Sequence, residues 1–303
     1  SLYPFYFLAW TTTPWTLPSN TALTVGAKIE YSFIKTFNQY TKEKTTVVIA
    51  SSLIEKVFAN NFFVVKHEDE LETFKETDSK IPYCVISSCS GKEIENLRYE
   101  RVWDESPLPI DNPENAFRVI LGDFVTTEDG TGIVHTAPTF GADDYKAAKS
   151  ATPEVPPLQV LDSNGNKIPL VDLKGKFIDG IGMISGKYVK NEYYEEEDIP
   201  KKSVDVEIAI RLKEKNLAFK VEKYSHSYPH CWRTDKPVLY YPMESWFIKV
   251  SELTDRMFNL NKDINWKPSS TGEGRFGNWL KSANDWNLSR SRFWGVPLPI
   301  WVN

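Results

Sequence analysis

The sequence predicts a mixed α/β fold in which short strands outnumber helices. Six short stretches are rich in Val, Ile, Phe and Thr and are bounded by turn residues, a pattern typical of strands. They lie at 31–37, 45–50, 62–66, 81–87, 117–125 and 133–136. Apolar residues at helical spacing are confined to a few segments, of which 201–215 is the clearest. We therefore expect a strand-rich domain with a few helices packed around it.

The first informative stretch is a threonine-rich segment, 10–20, which reads WTTTPWTLPSN and follows an apolar run at 5–10. The apolar run is short and aromatic, as in a buried strand. Pro14 and Pro18 lack an amide donor and fix their own φ, so a regular central strand or helix cannot continue through them. The segment therefore displays several hydroxyls at the end of a strand. The alternative is that these threonines are ordinary strand residues and that Trp15 is a core residue.

The next elements follow from turn and capping signals. Ser51-Ser52 before an apolar trio predicts a short capped helix, and the charged stretch 68–80 is a second helix or a solvated loop. Asn164-Gly165 predicts a tight turn. The helix at 201–215 ends at Asn216, and a tryptophan-rich tail follows. We place a soft domain boundary near residue 222.

The second informative stretch, 129–145, reads DGTGIVHTAPTFGADDY. Asp129-Gly130 predicts a tight turn into a strand at 133–136, which Pro138 ends. A helix then begins near Asp143, where carboxylates favour the positive end of the helix dipole. That preference is a complete structural explanation for either Asp143 or Asp144. His135 is explained equally well as a hydrogen-bonded core histidine.

Composition excludes several classes of protein. The 303 residues carry a net charge of −5, which disfavours a surface that grips nucleic acid broadly but allows a local patch. Three cysteines without a C-x-x-C pair form no disulfide framework and favour a reducing, cytoplasmic compartment. No apolar stretch reaches the ~20 residues of a membrane span. GEGRFG at 272–277 matches a dinucleotide motif but lacks the preceding strand.

Both informative stretches resemble the editing domain of isoleucyl-tRNA synthetases, which hydrolyses valine that has been attached wrongly to the isoleucine tRNA. The valyl and leucyl enzymes carry Arg-Pro and an acidic residue where this chain has Thr13-Pro14-Trp15. The resemblance implies an α/β fold of the editing type, with a β-barrel-like core and surrounding helices. It also implies an editing domain at 1–222 and a return segment at 223–303 leading back to the catalytic domain. Tail segments 289–295 and 297–301 belong to the likeness.

The resemblance also assigns roles to residues. Catalytic roles fall to Thr11, Thr12, Thr13, Asn20 and Asp144, with the threonines and Asn20 contacting the ester, the terminal adenosine and the attacking water. The carboxylate of Asp144 binds the α-amino group, because a buried ammonium needs an anionic partner. Substrate-binding roles fall to Trp15, Thr16, His135, Thr136, Ala137 and again Asp144.

No metal site is expected. Some relatives carry C-x-x-C where this chain has Cys231 and Thr234, so that zinc pair is broken here. The fragment itself needs no cofactor; ATP and Mg²⁺ serve the parent ligase's catalytic domain, whose signature motifs do not occur in this sequence. The implied partners are the acceptor end of tRNA(Ile) carrying valine and the rest of the synthetase chain, as a monomer without membrane contact.

The implied activity is deacylation of mischarged tRNA. Isoleucine against valine is the standard case in which one methylene supplies only about 1–3 kcal/mol of discrimination, so that a second, hydrolytic site is needed. Two alternatives remain: the same fold with valyl or leucyl specificity, and a tRNA-binding module without catalysis.

Overall fold

The computed structural model describes residues 3–290 and 299–301, so tail residues 291–298 of the predicted likeness lie outside the described residues. The chain divides into two compact units, Ser1–Pro242 and Met243–Asn303. The predicted change of role near residue 222 falls inside the first unit and stays a prediction. No helix in the described part of the chain has the length and hydropathy needed to span a membrane.

The first unit contains a five-stranded sheet in the order β1-β4-β3-β6-β5. Its strands are β1 (Phe5–Phe7), β3 (Glu30–Phe37), β4 (Lys44–Ala50), β5 (Phe62–Val64) and β6 (Ile81–Ser90). β3 runs antiparallel to β4 and β6, whereas β1 and β5 are parallel to their neighbours. Tyr31, Ile34 and Ile49 are fully buried in its core.

A three-stranded sheet in the order β7-β2-β8 carries one wall of the candidate site. It consists of β2 (Ala22–Val25), β7 (Arg118–Leu121) and β8 (Ile133–Thr136). β2 pairs parallel with β7 and antiparallel with β8. A single parallel bridge from Trp10 to Val134 links this sheet to the chain that leaves β1.

The prediction of a β-barrel-like core is wrong, because no closed barrel forms among residues 3–290 and 299–301. A barrel requires each strand to be paired on both sides. Here β1 and β5 are the edges of one sheet, and β7 and β8 are the edges of the other. Two further pairs stand apart: β9 (Val160–Leu161) with β10 (Lys167–Ile168), and β11 (Phe247–Ile248) with β12 (Trp286–Asn287).

Helices are short, and eight of those in the described residues are 3₁₀ helices of three to six residues. The α-helices of the first unit are α1 (Ile54–Val57), α2 (Ala142–Ser150) and α3 (Val204–Glu214). The 3₁₀ helices are Pro14–Ser19, Ser51–Leu53, Glu68–Thr73, Pro113–Asn115, Gly182–Ile184, Asn191–Tyr193, Glu196–Asp198 and Val250–Leu253. The predicted strands, the two longer helices and the turn at 162–166 are confirmed, and the threonine-rich segment avoids strand and α-helix by forming a 3₁₀ helix.

The second unit shows why GEGRFG occurs without a dinucleotide site. Its helices are α4 (Thr254–Asn261), α5 (Ser269–Thr271), a π-helical turn (Gly272–Phe276) and α6 (Gly277–Lys281). A Cβ on Gly272 would lie 2.1 Å from Cδ1 of Trp266, and one on Gly277 would lie 2.6 Å from the Gly272 carbonyl oxygen. These glycines therefore allow close packing, and the indole of Trp266 donates a hydrogen bond to Asn261.

One buried hydroxyl ties the five-stranded sheet to the loop before β8, and its removal tests that link. Tyr31 Oη accepts the Gly26 N–H at 3.0 Å and donates to the Gly132 carbonyl at 2.7 Å. Tyr31→Phe leaves both buried groups without a partner, so we expect a loss of about 1–3 kcal/mol in the free energy of unfolding. Urea unfolding measures the loss, with Tyr240→Phe as the control because Tyr240 is 67% exposed. Equal stability of both variants would contradict the assignment.

Candidate active site

Four segments of the first unit meet around one cleft of about 380 Å³. They are the threonine-rich segment, the loop before β8, β8 itself and the first turn of α2. Seven of the predicted site residues line it: Thr11, Thr12, Thr13, Thr16, His135, Ala137 and Asp144. The lining also includes Trp10, Phe124, Thr126, Asp129, Gly130, Thr131, Gly132, Ile133, Val134 and Phe140. The two informative stretches of sequence therefore lie on the same face of the molecule.

The threonine-rich segment is folded by hydrogen bonds within itself. The Thr13 amide donates to Thr11 Oγ1 at 3.0 Å, and Thr16 Oγ1 donates to the Thr13 carbonyl at 2.8 Å. Pro14 occupies the first turn of the 3₁₀ helix, where a missing N–H costs nothing. The Thr12 hydroxyl has no protein partner among the described residues, so it is available to a ligand.

A carboxylate from α3 holds this segment from behind, and no local pattern in the sequence distinguishes that residue. Asp205 Oδ1 accepts the Trp15 amide at 2.8 Å, while Lys190 Nζ lies 3.8 Å from Oδ2. Burial raises the pKa of Asp205, and the nearby Lys190 opposes that rise. An aspartate in the first turn of a helix is normally explained by the helix dipole, so only the tertiary fold distinguishes this one.

His135 joins the two halves of the cleft and is locked in one tautomer. Asn20 Nδ2 donates to His135 Nδ1 at 2.8 Å, and the same amide donates to the Ala22 carbonyl at 2.8 Å. Since Nδ1 accepts, the proton lies on Nε2, which donates to Thr16 Oγ1 at 3.0 Å. Burial lowers the pKa of His135 to about 4. The imidazole is therefore neutral at pH 7 and has no free lone pair.

Asp144 supplies the negative charge of the cleft. Its Oδ2 accepts the Ala137 amide at 2.8 Å, whereas Oδ1 has no partner in the described part of the chain. Burial raises the pKa of Asp144, the Ala137 hydrogen bond opposes the rise, and Asp143 adds to it. A Cβ on Gly141 would lie 2.9 Å from the Asp144 carboxyl carbon, so glycine is needed there for steric reasons.

Two glycines shape the loop that closes the other side of the cleft. Gly130 and Gly132 have φ of +75° and +72°, values that residues with a Cβ rarely adopt. A Cβ on Gly130 would lie 2.9 Å from the indole of Trp10, and one on Gly132 would lie 2.5 Å from Cβ of Ala50. The loop is further held by an ion pair between Lys56 and Asp129.

Three predicted site residues lie behind the cleft rather than on its surface. Trp15 is 2% exposed and packs against Phe140, with ring centroids 5.0 Å apart. Thr136 is fully buried, and its hydroxyl is hydrogen-bonded to that of Thr24 at 2.6 Å. Asn20 is occupied by His135 and by Tyr99, whose hydroxyl donates to Oδ1 at 2.5 Å. At these positions the three side chains can hold the cleft in shape, but they have no surface through which to contact a ligand directly.

No group of three or more His, Cys, Asp or Glu side chains comes together as a possible metal site in the described ranges. Cys84, Cys89 and Cys231 form no disulfide within the part of the chain that the structure describes.

Comparison with known proteins identifies the family. Residues 12–303 match the profile of the tRNA synthetases class I (I, L, M and V). The chain belongs to this family. This synthetase chain is 54% identical over 308 residues to isoleucine–tRNA ligase of Cytophaga hutchinsonii, an alignment that covers 98% of the chain and 27% of that protein. It is 52% identical over 313 residues to isoleucine–tRNA ligase of Bacteroides fragilis, covering 98% of the chain and 26% of that protein.

The synthetase chain thus spans about a quarter of the length of these relatives, 27% and 26%. The expected likeness to isoleucyl-tRNA synthetases is confirmed by these relatives. A crystal structure described as that of GlLeuRS-CP1 aligns with 48% of the chain and 44% of its own length, at 21% identity and a TM-score of 0.30. At that score the alignment carries no argument about fold or site.

The buried imidazole gives a pH prediction for this synthetase chain. We expect the His135 side chain to keep the Nε2–H tautomer from pH 8 down to about pH 5 and to titrate with a pKa of about 4. ¹⁵N-resolved NMR of the imidazole reports tautomer and charge directly. His67, on the surface at the start of a 3₁₀ helix, is the internal control. Titration of His135 near pH 6.5 would contradict the buried network.

The same shift makes stability fall in mild acid. The unfolded chain binds a proton at His135 near pH 6.5, whereas the folded chain binds it only near 4. Below about pH 6.5 protonation therefore stabilises the unfolded state relative to the folded state, and the free energy of unfolding decreases from about pH 6.5 to about pH 4. The loss from this one group is on the order of 3 kcal/mol. His135→Gln should flatten that part of the stability profile.

Proposed function

We propose that this chain is the editing part of an isoleucine–tRNA ligase and hydrolyses the ester of valine attached to tRNA(Ile). The observation that carries the proposal is the cleft itself, whose lining brings together Asp144, with its unpaired Oδ1, and the threonine-rich segment. Relatives named isoleucine–tRNA ligase support the choice of amino acid and tRNA. The partners are then the acceptor end of that tRNA and the remainder of the synthetase chain.

Asp144 binds the α-amino group of the ester-linked amino acid. The amino group is cationic, and burying it requires an anionic partner close by. Oδ2 is fixed by the Ala137 amide, and Oδ1 of this cleft-lining side chain has no partner among the described residues. An ammonium bound there stabilises the carboxylate and offsets the rise in the pKa of Asp144 that burial causes.

His135 forms a rigid wall against the side chain of the amino acid. Both ring nitrogens are hydrogen-bonded, so the ring cannot rotate to enlarge the cleft. A fixed wall can separate substrates that differ by one methylene, because overpacking costs about 1–3 kcal/mol. Valine is admitted, and isoleucine is excluded.

The chemistry relies on orientation. Water attacks the ester carbonyl carbon, the bond from that carbon to the ribose oxygen breaks, and the ribose oxygen takes a proton. His135 has no free nitrogen to act as the base, so a ribose hydroxyl of the substrate relays the proton from water to the leaving oxygen. Thr12 and its neighbours orient the water and stabilise the developing oxyanion. The products are free valine and deacylated tRNA.

The proposal places the chain in the cytoplasm, as a monomer. No cofactor enters the editing step. ATP and Mg²⁺ serve aminoacylation in the catalytic domain of the parent ligase.

Asp144→Asn tests the amine anchor while keeping the shape of the side chain. We expect kcat/KM for deacylation of Val-tRNA(Ile) to fall at least about a hundredfold, because breaking a buried ion pair costs about 3–5 kcal/mol. The matched control is Asp143→Asn, an exposed neighbour on the same helical turn that does not line the cleft. Equal loss in both variants, or in neither, would sink the role given to Asp144.

The choice of substrate decides between this proposal and its rivals. The chain is compared on tRNAs charged with valine, threonine or norvaline, and we expect the valyl ester to be cleaved fastest. Faster cleavage of the threonyl ester indicates valyl-enzyme specificity, and faster cleavage of the norvalyl ester indicates leucyl-enzyme specificity. Binding of tRNA without cleavage of any ester indicates a binding module.

A further inference from the structure

A row of aromatic side chains leads away from the cleft. Tyr224, His226, Tyr228 and His230, here called the aromatic row, occupy alternate positions of an irregular segment. Successive ring centroids lie 6.0, 6.2 and 6.5 Å apart. The row begins at the cleft, because Tyr224 packs edge-on against Trp10 with centroids 5.3 Å apart and Trp10 lines the cleft.

The row is exposed rather than part of a core. Tyr224 is 52% exposed, Trp10 is 41% exposed, and His226 and His230 are also exposed. Tyr228 is half-buried, and Lys190 Nζ lies 4.6 Å from its ring centre. The Tyr224 and His226 rings are neighbours that are both exposed, and the angle between their planes is 28°. Large aromatic faces in water at the mouth of a reaction cleft point to a ligand that stacks.

The charge around the row is opposite to that of the whole chain. Segment 220–236 carries four Lys or Arg and two acidic residues, while the chain has a net charge of −5. Lys223, Arg233 and Lys236 form no ion pair with any acidic side chain in the described part of the chain. Two of the three residues between the rings, Ser225 and Ser227, are polar, so this is not the continuous apolar patch that a protein partner buries.

We propose that the aromatic row binds single-stranded RNA, namely the unpaired 3′ nucleotides that precede the aminoacylated adenosine. The bases stack on Tyr224 and His226, while Lys223 and its basic neighbours contact the phosphates. Aromatic faces combined with a local positive field are the usual means of holding single strands without reading their sequence. The inference rests on the proposed function, since it supplies the path by which that substrate reaches the cleft.

The binding experiment uses a fluorescein-labelled ACCA RNA strand and the 303-residue chain. Fluorescence anisotropy should show binding that weakens with salt. We expect Tyr224→Ala and His226→Ala each to weaken it about tenfold, by loss of one stacked base. Tyr224→Phe keeps the ring and should restore binding. Phe63→Ala is the matched control, because Phe63 is 44% exposed on β5, the edge of the five-stranded sheet opposite β1.

An abasic ribose-phosphate strand of the same length separates stacking from charge. The proposal requires the wild-type chain to prefer the ACCA strand over the abasic one, and Tyr224→Ala to remove that preference. Equal binding of the two strands overturns it, as does unchanged binding by the alanine variants or no binding of ACCA at millimolar concentration.

A catalytic experiment tests the RNA-binding role of the aromatic row separately from the proposed editing function of the cleft. Tyr224→Ala should lower kcat/KM for Val-tRNA(Ile) about tenfold more than it lowers kcat/KM for 3′-O-valyl-adenosine, mainly through KM. If the wild-type chain cleaves both esters and kcat/KM of the variant falls equally on both, the RNA-binding role of the aromatic row is wrong and the editing function stands. If the wild-type chain cleaves neither ester, the editing function is wrong, and ACCA binding alone tests the role of the aromatic row.

Discussion

His135 holds the cleft together because each nitrogen of its buried imidazole is hydrogen-bonded to the threonine-rich half of the site. Asn20 donates to one nitrogen, and Thr16 accepts from the other. These contacts join segments that are 115 and 119 residues apart in the chain. They require a neutral ring, so the desolvation that lowers its pKa also preserves the geometry. A charged imidazole would have to give up the acceptor role at Nδ1, and with it the bond from Asn20.

The same hydrogen bonds give His135 a structural role and prevent it from acting as a base. A histidine beside a cleft is the usual candidate for a general base, but both nitrogens of this one are hydrogen-bonded within the protein. The Thr12 hydroxyl and Oδ1 of Asp144 have no protein partner among the described residues, and they suit a neutral polar group and a cation, respectively. In the proposed reaction the site therefore orients a substrate that carries its own amine and its own proton relay. Asp205 and Tyr99 add to this rigidity from behind the cleft.

Local patterns in the sequence predicted most of the strands and the helix at Asp143, whereas the resemblance to isoleucyl-tRNA synthetases selected site residues on both cleft walls. The local patterns did not predict β2, whose two partner strands are distant in the chain. Nor could they show which way side chains point in the 3₁₀ helix, whose turn places Thr16 in the cleft and buries Trp15. Thr136 was selected with its neighbour His135, but its fully buried hydroxyl is hydrogen-bonded to that of Thr24 and does not reach the cleft. Closure of a barrel depends on edges that no local pattern reports.

The distribution of charge fits the proposed action of this acidic chain on RNA. Asp144 gives the cleft a negative charge, which favours the ammonium of the proposed substrate and repels the phosphates that follow it. In the proposed complex the phosphates therefore leave the cleft on the side of Trp10 and the aromatic row with its basic neighbours. There the two charge patterns together orient the substrate, with the amine pointing inward and the RNA backbone outward. A chain with one uniformly basic surface would attract the RNA more strongly, but it would not distinguish these two ends.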